Sequence, residues 1–533
     1  MQQWLVRHKA SLVLLSGATT IVGAAMCWNL QGYPGRADDD EGTYVSRAWA
    51  MLYEHHPSNY TYFWDHPFFG WAQIAAWARL TDGFALNSRA LMVGREFMLA
   101  VTLVSCVLLY LLARRLGMGR VYGAAAVLLF GLSPVAIWYH RMVSLDNLAT
   151  VWALAAFVTA ASRRRSLGAT VASAVCFGAA TWSKETIMLL LPALLWLLGQ
   201  QVDRPIRKKY LLVFTVVYGG IVGLYPLLAI IKGELLPGAG HVSLVSEISY
   251  QLASRQGTGS LLDVHSQTFA QARSWVELDP WLTLGGLAVV VAGLAIRWLR
   301  AIALAIAIQL AYMAKGGYVP YAYVTAIIPF AALLVPGVLD ELWHHRSAGR
   351  AGRLLTRLPV VIAAIVFAVA VVPRWADTLH AQAGVNGFAS EDAAVAWIAR
   401  NVPARDIVVS DAYPWLDIKL RTRATPLYLW QIDDDPAVMH DLLPHGYKDI
   451  SYLLLEPTSP LTFKALPDRP TLQAAIAHAV IVRRYGDIDI YKVNQSQLPP
   501  EQPECWRAPT SSARPAAGLC RQGRGSAGAV RRS

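Results

Sequence analysis

Four consecutive acids, Asp38-Asp39-Asp40-Glu41, run into Gly42-Thr43-Tyr44 directly after the first apolar stretch. Capping a helix needs only one acid near its positive end. Four together, close to a bilayer, suit a general base or a cation site, because carboxylates crowded in this way have displaced proton affinities. Their oxygens are enough for a divalent metal, with Asp38 and Asp39 as candidate ligands, although the chemistry below requires no cofactor. Asp38-Asp39-Asp40 also fits the loose DxD pattern of metal-dependent nucleotide-sugar enzymes. Nucleotide sugars are cytoplasmic, however, and this segment is expected on the opposite face.

A second group follows in Tyr62-Phe63-Trp64-Asp65-His66-Pro67. Asp65 is placed to cap a helix opened by Pro67, or to work with His66 in orienting a substrate. His55, His56 and His66 lack a specific zinc spacing. Three cations then stand where positive charge is disfavoured, on the outer side of the spans. They are Arg141, in His140-Arg141-Met142-Val143-Ser144-Leu145-Asp146, Lys184, in Trp182-Ser183-Lys184-Glu185, and Lys315, in Lys315-Gly316-Gly317-Tyr318. Such side chains can snorkel to an interface. Three of them between apolar spans point to a shared anionic ligand, and a lipid phosphate is the natural one.

The elements that must hold these residues are apolar helices. The chain has 533 residues, 55% hydrophobic and 15% charged, against about 25% charged in soluble proteins. Segments of span length, about 20 apolar residues, are expected near 10–30, 90–113, 121–139, 146–162, 167–182, 186–200, 210–231, 281–297, 299–314, 320–340 and 358–374. The fold class is thus a polytopic α-helical membrane protein with about eleven transmembrane helices. The first run has no convincing cleavage site and reads as an uncleaved span. Every second connection is basic: Arg114, Arg115 and Arg120; Arg163, Arg164 and Arg165; Arg204, Arg207, Lys208 and Lys209; Arg297 and Arg300; Arg346, Arg350, Arg353 and Arg357. This places the N-terminus in the cytoplasm and the C-terminus outside, and it accounts for the net charge of +12 without a nucleic-acid partner.

Loops 31–89 and 232–280 are the large outer connections of a membrane domain covering 1–375. Residues 376–388 read as a linker, and 389–493 as a small extracytoplasmic α/β domain. In it, Ser390-Glu391-Asp392 opens a helix ending near Pro403. Strands are expected at 406–411, 449–455 and 488–493, with a helix at 471–480. The tail 494–533, which contains Cys505 and Cys520, is too poor in large apolar residues to fold. The remaining cysteines, Cys27, Cys106 and Cys176, sit in apolar segments as small hydrophobes. Tyr44, Val45, Ala48, Trp49 and Leu52 recur at helical spacing, so the acids should open an amphipathic helix lying on the membrane surface.

Taken in order, Asp40-Glu41-x-x-Tyr44, Asp65-His66-Pro67, Arg141-x-x-x-x-Asp146 and Lys184 give the chain a resemblance to the C-superfamily glycosyltransferases. It is similar to those of the protein O-mannosyltransferase type (glycosyltransferase family 39), whose broad group includes the aminoarabinose transferase acting on lipid A. The resemblance covers about residues 10–375. It implies Asp40 as catalytic base, followed by Glu41 and then Asp39 as alternatives. It implies Lys184 at the donor phosphate, helped by Arg141 or Lys315, with Tyr44, Asp65, His66, Asp146 and Tyr318 around the substrates. Many relatives carry His-Pro-Pro where this chain has His66-Pro67-Phe68. The implied reaction moves a sugar, with inversion, from a polyprenyl-phosphate donor to a hydroxyl of a protein, lipid or polysaccharide, on the outer face of the plasma membrane. A lipid-linked substrate transporter or flippase is the alternative. Charges at span ends and the lack of an internal repeat weigh against it.

Overall fold

The computed structural model describes residues 2–60, 64–162, 166–238, 240–345, 349–457 and 469–495. Tyr62, Phe63, the Arg163–Arg165 cluster, Arg346, Cys505, Cys520 and nearly all of the tail lie outside the described residues.

Helix occupies each of the eleven expected stretches, but they are not equal. Among the described residues five helices are long and apolar enough to cross a bilayer: His8–Cys27, Leu91–Leu116, Arg204–Lys232, Tyr321–His344 and Leu354–Gln382. A sixth arises if Arg120–Leu132 and Pro134–Arg141, bent by 63° at Ser133, count as one. Proline at the start of the second piece has no amide to continue the ladder, which explains the break. Leu145–Ala160, Leu167–Ser183 and Glu185–Gln201 are shorter. At 1.5 Å per residue a 16- or 17-residue helix reaches about 24–26 Å, less than the roughly 30 Å hydrocarbon core. The stretch expected at 281–297 is two pieces, Pro280–Ala288 and Val290–Ala295. Hydropathy registers apolar content, whereas crossing depends on unbroken length, so the number eleven does not follow from the helices.

The Tyr321–His344 span is 83% buried within the protein and stands at the centre of the bundle. The Arg204–Lys232 and Leu354–Gln382 spans are each 11% buried and form its periphery. Close helix crossings rest on small residues. At Gly131 a Cβ would come within 2.3 Å of Val22, so any larger residue would push the first and third helical segments apart.

The first long connection, 31–89, is largely helical among the described residues. After α1 (Gln2–Cys27) come α2 (Asp40–Tyr53) and α3 (Phe69–Thr81). Helix α2 does not lie on the membrane as expected. Its apolar stripe of Tyr44, Val45, Ala48 and Trp49 is buried in a cluster with Trp71 and Ile74 of α3, Leu91 and Met98, and Tyr413, Trp415 and Leu416. An amphipathic stripe specifies a dry partner without saying whether lipid or protein supplies it. Asp65 is not the cap of α3, whose N-cap is Phe68. Its carboxylate instead accepts from Arg47 at 2.8 Å and from the His66 amide at 3.0 Å.

The stretch taken as a linker is helical through Gln382, because the last span continues without a break. The C-terminal domain holds a five-stranded sheet of order β2-β1-β3-β5-β4, from β1 (Ile407–Ser410), β2 (Thr425–Tyr428), β3 (Ile450–Leu455), β4 (Ala479–Tyr485) and β5 (Ile488–Val493). The first three strands are parallel, and β5 and β4 join antiparallel. The helices expected near 390–403 and 471–480 span Ala389–Asn401 and Pro470–Ala477. Strands β2 and β4 and the Ala412–Arg421 helix were not foreseen. Just before the domain, the carbonyls of Gln382 and Val385 accept Asn29 Nδ2, at 3.0 and 2.7 Å, and the domain itself pairs with loop 31–89. Arg36 pairs with Glu456 and Asp487, and Arg89 with Asp392 at 2.6 Å.

Glu391 is buried on this seam, and its Oε2 has no hydrogen-bond partner among the described residues. Burial, reinforced by Asp417, pushes its carboxyl up to about 8, from about 4.3 in an unfolded chain. Between those values the folded domain keeps a proton that the unfolded chain releases, so stability falls as pH rises toward 8 and stays low above it. Glu391→Gln is therefore expected to raise the thermal midpoint at pH 9 relative to wild type, with the gap closing at pH 4. Equal midpoints at pH 9 would sink this assignment.

Candidate active site

The four acids have four different environments. Glu41 is fully buried, and both its oxygens are engaged. Arg95 of the Leu91–Leu116 helix donates to Oε1 at 3.1 Å and Oε2 at 3.2 Å, the Tyr413 hydroxyl to Oε1 at 2.9 Å, and the Val143 amide to Oε2 at 2.8 Å. Asp39 is buried as well, accepting from the Ala412 amide at 2.8 Å and the Tyr428 hydroxyl at 2.6 Å. Burial raises its carboxyl to about 6, against those two donors. Asp38 accepts from the Asp40 amide at 3.4 Å, and burial beside Asp40 holds its carboxyl well above the usual range. Asp40 alone of the four is exposed. Its Oδ2 accepts from the Tyr44 hydroxyl one helical turn on, at 2.9 Å. Glu41 is thus an anchor and Asp40 the acid left open to a substrate.

The anchor supports a prediction. Arg95 also donates to the carbonyls of Leu30, Pro34 and Gly35. Removing one member of a buried ion pair strands the other, at a cost of about 3–5 kcal/mol. Arg95→Met is expected to lower the thermal midpoint strongly in detergent, and an unchanged midpoint would contradict the pairing. A lone arginine within an apolar helix was the signal for this residue, and it was missed.

Lys184 lies where α-helix Leu167–Ser183 ends, and it is buried. Its Nζ sits 2.7 Å from His66 Nε2, and His66 Nδ1 sits 3.0 Å from Glu185 Oε2. An ammonium only donates, so His66 Nε2 accepts and Nδ1 carries the ring proton toward Glu185. Glu185 thereby fixes the ring that fixes the lysine. Asp40, Asp146 and Tyr318 all lie within electrostatic reach of Lys184. Asp146 is held by the Ser144 hydroxyl, at 3.2 Å. Tyr44 stacks parallel to Trp71, with ring centroids 6.5 Å apart, and lies 6.3 Å from the His66 ring.

Arg141 is buried and donates to the carbonyls of Ala25, Trp28 and Tyr33, at 2.6, 2.7 and 3.2 Å, tying down the end of α1. Its guanidinium thus meets three backbone carbonyls, while its Nε has no hydrogen-bond partner among the described residues. Lys315 is exposed at the end of its helix. No hydrogen bond or ion pair joins it to the Lys184 group among the described residues. Its neighbours matter more: Gly316 and Gly317 adopt φ of +85° and +132°, which side chains disfavour. This turn lets Gly317 and Val319 bond to Thr258 of the second outer loop. That loop delivers Arg255, unnoticed in the sequence, 3.3 Å from the centre of the Tyr318 ring. Tyr318 lies within electrostatic reach of Arg255, Asp40, Lys184 and Asp38 together. Asp40, Tyr44, His66, Lys184, Asp146, Tyr318 and Arg255 therefore form one group.

Of the candidate metal pair, Asp39 has both oxygens accepting hydrogen bonds, from the Ala412 amide and the Tyr428 hydroxyl. Among the described residues no group of three or more His, Cys, Asp or Glu side chains is arranged to hold a metal ion.

Residues 65–229, which contain His66, Arg141, Asp146 and Lys184, match the family model described as dolichyl-phosphate-mannose-protein mannosyltransferase. The chain is similar in fold to ArnT from Cupriavidus metallidurans, solved bound to undecaprenyl phosphate. The identity is 15% and the TM-score 0.57, covering 90% of this chain and 97% of that one. The oligosaccharyltransferase of Archaeoglobus fulgidus in its apo form is also similar, at 11% identity and TM-score 0.55, covering 92% of this chain and 75% of that one. No curated protein sequence matches. The resemblance to C-superfamily glycosyltransferases of the protein O-mannosyltransferase and ArnT group thus holds, in the overall fold and in the matched segment.

Proposed function

We propose that this protein is a membrane glycosyltransferase that moves a sugar from a polyprenyl-phosphate donor to an acceptor hydroxyl. The observation that carries the reading is the pairing of one exposed carboxylate, Asp40, with a buried lysine oriented through His66 and Glu185. Asp40 takes the proton of the acceptor hydroxyl as its oxygen attacks the anomeric carbon. The bond from that carbon to the phosphate oxygen breaks, and its electron pair stays on the phosphate. Lys184, with Arg255 across Tyr318, stabilises the charge that grows there. Tyr44 holds one Asp40 oxygen and leaves the other for the proton. Attack opposite the departing phosphate inverts the anomeric centre. The leaving group needs no proton, so one base and two cations suffice, unlike the paired carboxylates of glycoside hydrolases.

The basic connections support an outer location for this site and a plasma-membrane, multi-pass setting with the N-terminus inside. Neither the matched segment nor the fold likenesses support a flippase. The test is transfer in proteoliposomes from a panel of radiolabelled undecaprenyl-phosphate sugars to envelope acceptors. Label moving from one donor to a protein, lipid or polysaccharide fraction supports the reading and identifies sugar and acceptor together. No transfer from any donor by folded protein overturns it.

A further inference from the structure

Asp40 is exposed; Tyr44 of its own helix holds one of its oxygens, and further groups that aim it lie outside the membrane domain. Its two neighbours in sequence are both held by the C-terminal domain. Tyr428, the last residue of β2, donates to Asp39 Oδ2 at 2.6 Å. The amide of Ala412, the first residue of the Ala412–Arg421 helix, donates to Asp39 Oδ1 at 2.8 Å. On the other side the Tyr413 hydroxyl donates to Glu41 Oε1 at 2.9 Å and accepts the amides of Ala37, at 3.0 Å, and Asp38, at 2.9 Å.

Asp39 is the N-cap of α2, yet its side chain makes no capping hydrogen bond to its own helix. Both its oxygens face the C-terminal domain instead. Gly42 completes the contact: a Cβ there would lie 2.4 Å from the carbonyl carbon and oxygen of Ala412, so the backbones touch. Tyr428 is itself seated, its amide donating to the Tyr60 hydroxyl at 3.1 Å, and that hydroxyl also accepts Trp415 Nε1 at 2.6 Å.

We infer that Tyr413 and Tyr428 are positioning residues for the transfer reaction, through which the docked C-terminal domain sets the direction of the Asp40 carboxylate. The inference rests on the assignment of Asp40 as base. Tyr428 acts through Asp39, Tyr413 through Glu41 and the two amides before Asp39, and neither touches the reacting atoms. The domain is then a working part of the site.

The test uses full-length protein in proteoliposomes. Tyr428→Phe removes one hydroxyl and keeps the ring. It is expected to lower kcat by about 10- to 100-fold, the usual consequence of a small misplacement, while KM for the donor, affinity for undecaprenyl phosphate and thermal midpoint stay near wild type. In an Asp39→Ala background the same change should cost almost nothing more, because the two substitutions break one connection. Tyr413→Phe, which frees the amides of Ala37 and Asp38, should accelerate hydrogen exchange in the peptide covering 37–44. Unchanged kcat in Tyr428→Phe, full additivity with Asp39→Ala, or a kcat loss that tracks a lowered thermal midpoint each overturn the inference. If wild type transfers no sugar, the functional reading fails, and exchange decides this one separately. Faster exchange at 37–44 in both variants keeps the domain as the holder of the loop, and unchanged exchange removes it.

Discussion

Asp40→Asn is expected to lower kcat by about 10²–10⁴-fold, the usual worth of a positioned general base. Asparagine has the shape of aspartate, and its side-chain oxygen can still accept the Tyr44 hydroxyl that lies 2.9 Å from Oδ2. It lacks only the capacity to take a proton, so the loss reports chemistry rather than collapse. Donor affinity should stay level or improve, because a negative charge within electrostatic reach of Lys184 is gone. The measurement is single-turnover transfer alongside undecaprenyl phosphate binding. Wild-type kcat in the variant would remove Asp40 as base. Asp39 and Glu41 would be poor replacements, since every one of their oxygens already accepts a hydrogen bond.

Lys184→Met carries the second large effect. The ammonium is buried and directed by the His66–Glu185 pair, so it need not reorganise as charge develops on the leaving phosphate. Losing one such preorganised donor commonly costs about 10²–10³-fold in kcat. On the proposed role, in which the lysine meets the phosphate before the reaction as well as during it, undecaprenyl phosphate should also bind more weakly. His66→Ala should follow in the same direction with a smaller loss, since the imidazole works only by aiming the lysine. Should Lys184→Met bind undecaprenyl phosphate as tightly as wild type, the phosphate site lies elsewhere, and Arg255 becomes the first residue to examine.

Much of the site was legible because its signals are local. The run Asp38–Glu41, the spacing Arg141-x-x-x-x-Asp146 and a lysine between apolar helices can each be seen within a few residues. Their roles were not local. Arg141 and Lys184 look alike in sequence, as lone cations at the outer ends of apolar stretches. One donates to three carbonyls around the end of α1, and the other faces a histidine and an open group. Asp40 and Glu41 are adjacent, and Arg95, Val143 and Tyr413, distant in the chain, separate the buried acid from the exposed one. Arg255 sits in a loop without periodicity, so its place opposite Tyr318 left no trace in the pattern.

The sequence by itself determined the apolar helical segments, the sidedness expected from their basic connections, and the α/β character of the C-terminal region. These follow from sums of transfer energies and propensities over short windows, which need no knowledge of distant residues. The tertiary structure decided how many helices are long enough to span, where the stripe of α2 is buried, and which of four acids stays open. Those outcomes depend on hydrogen bonds and contacts between residues as far apart as Asp39 and Tyr428. A buried polar group must find a partner somewhere, and only the folded chain determines which partner is within reach.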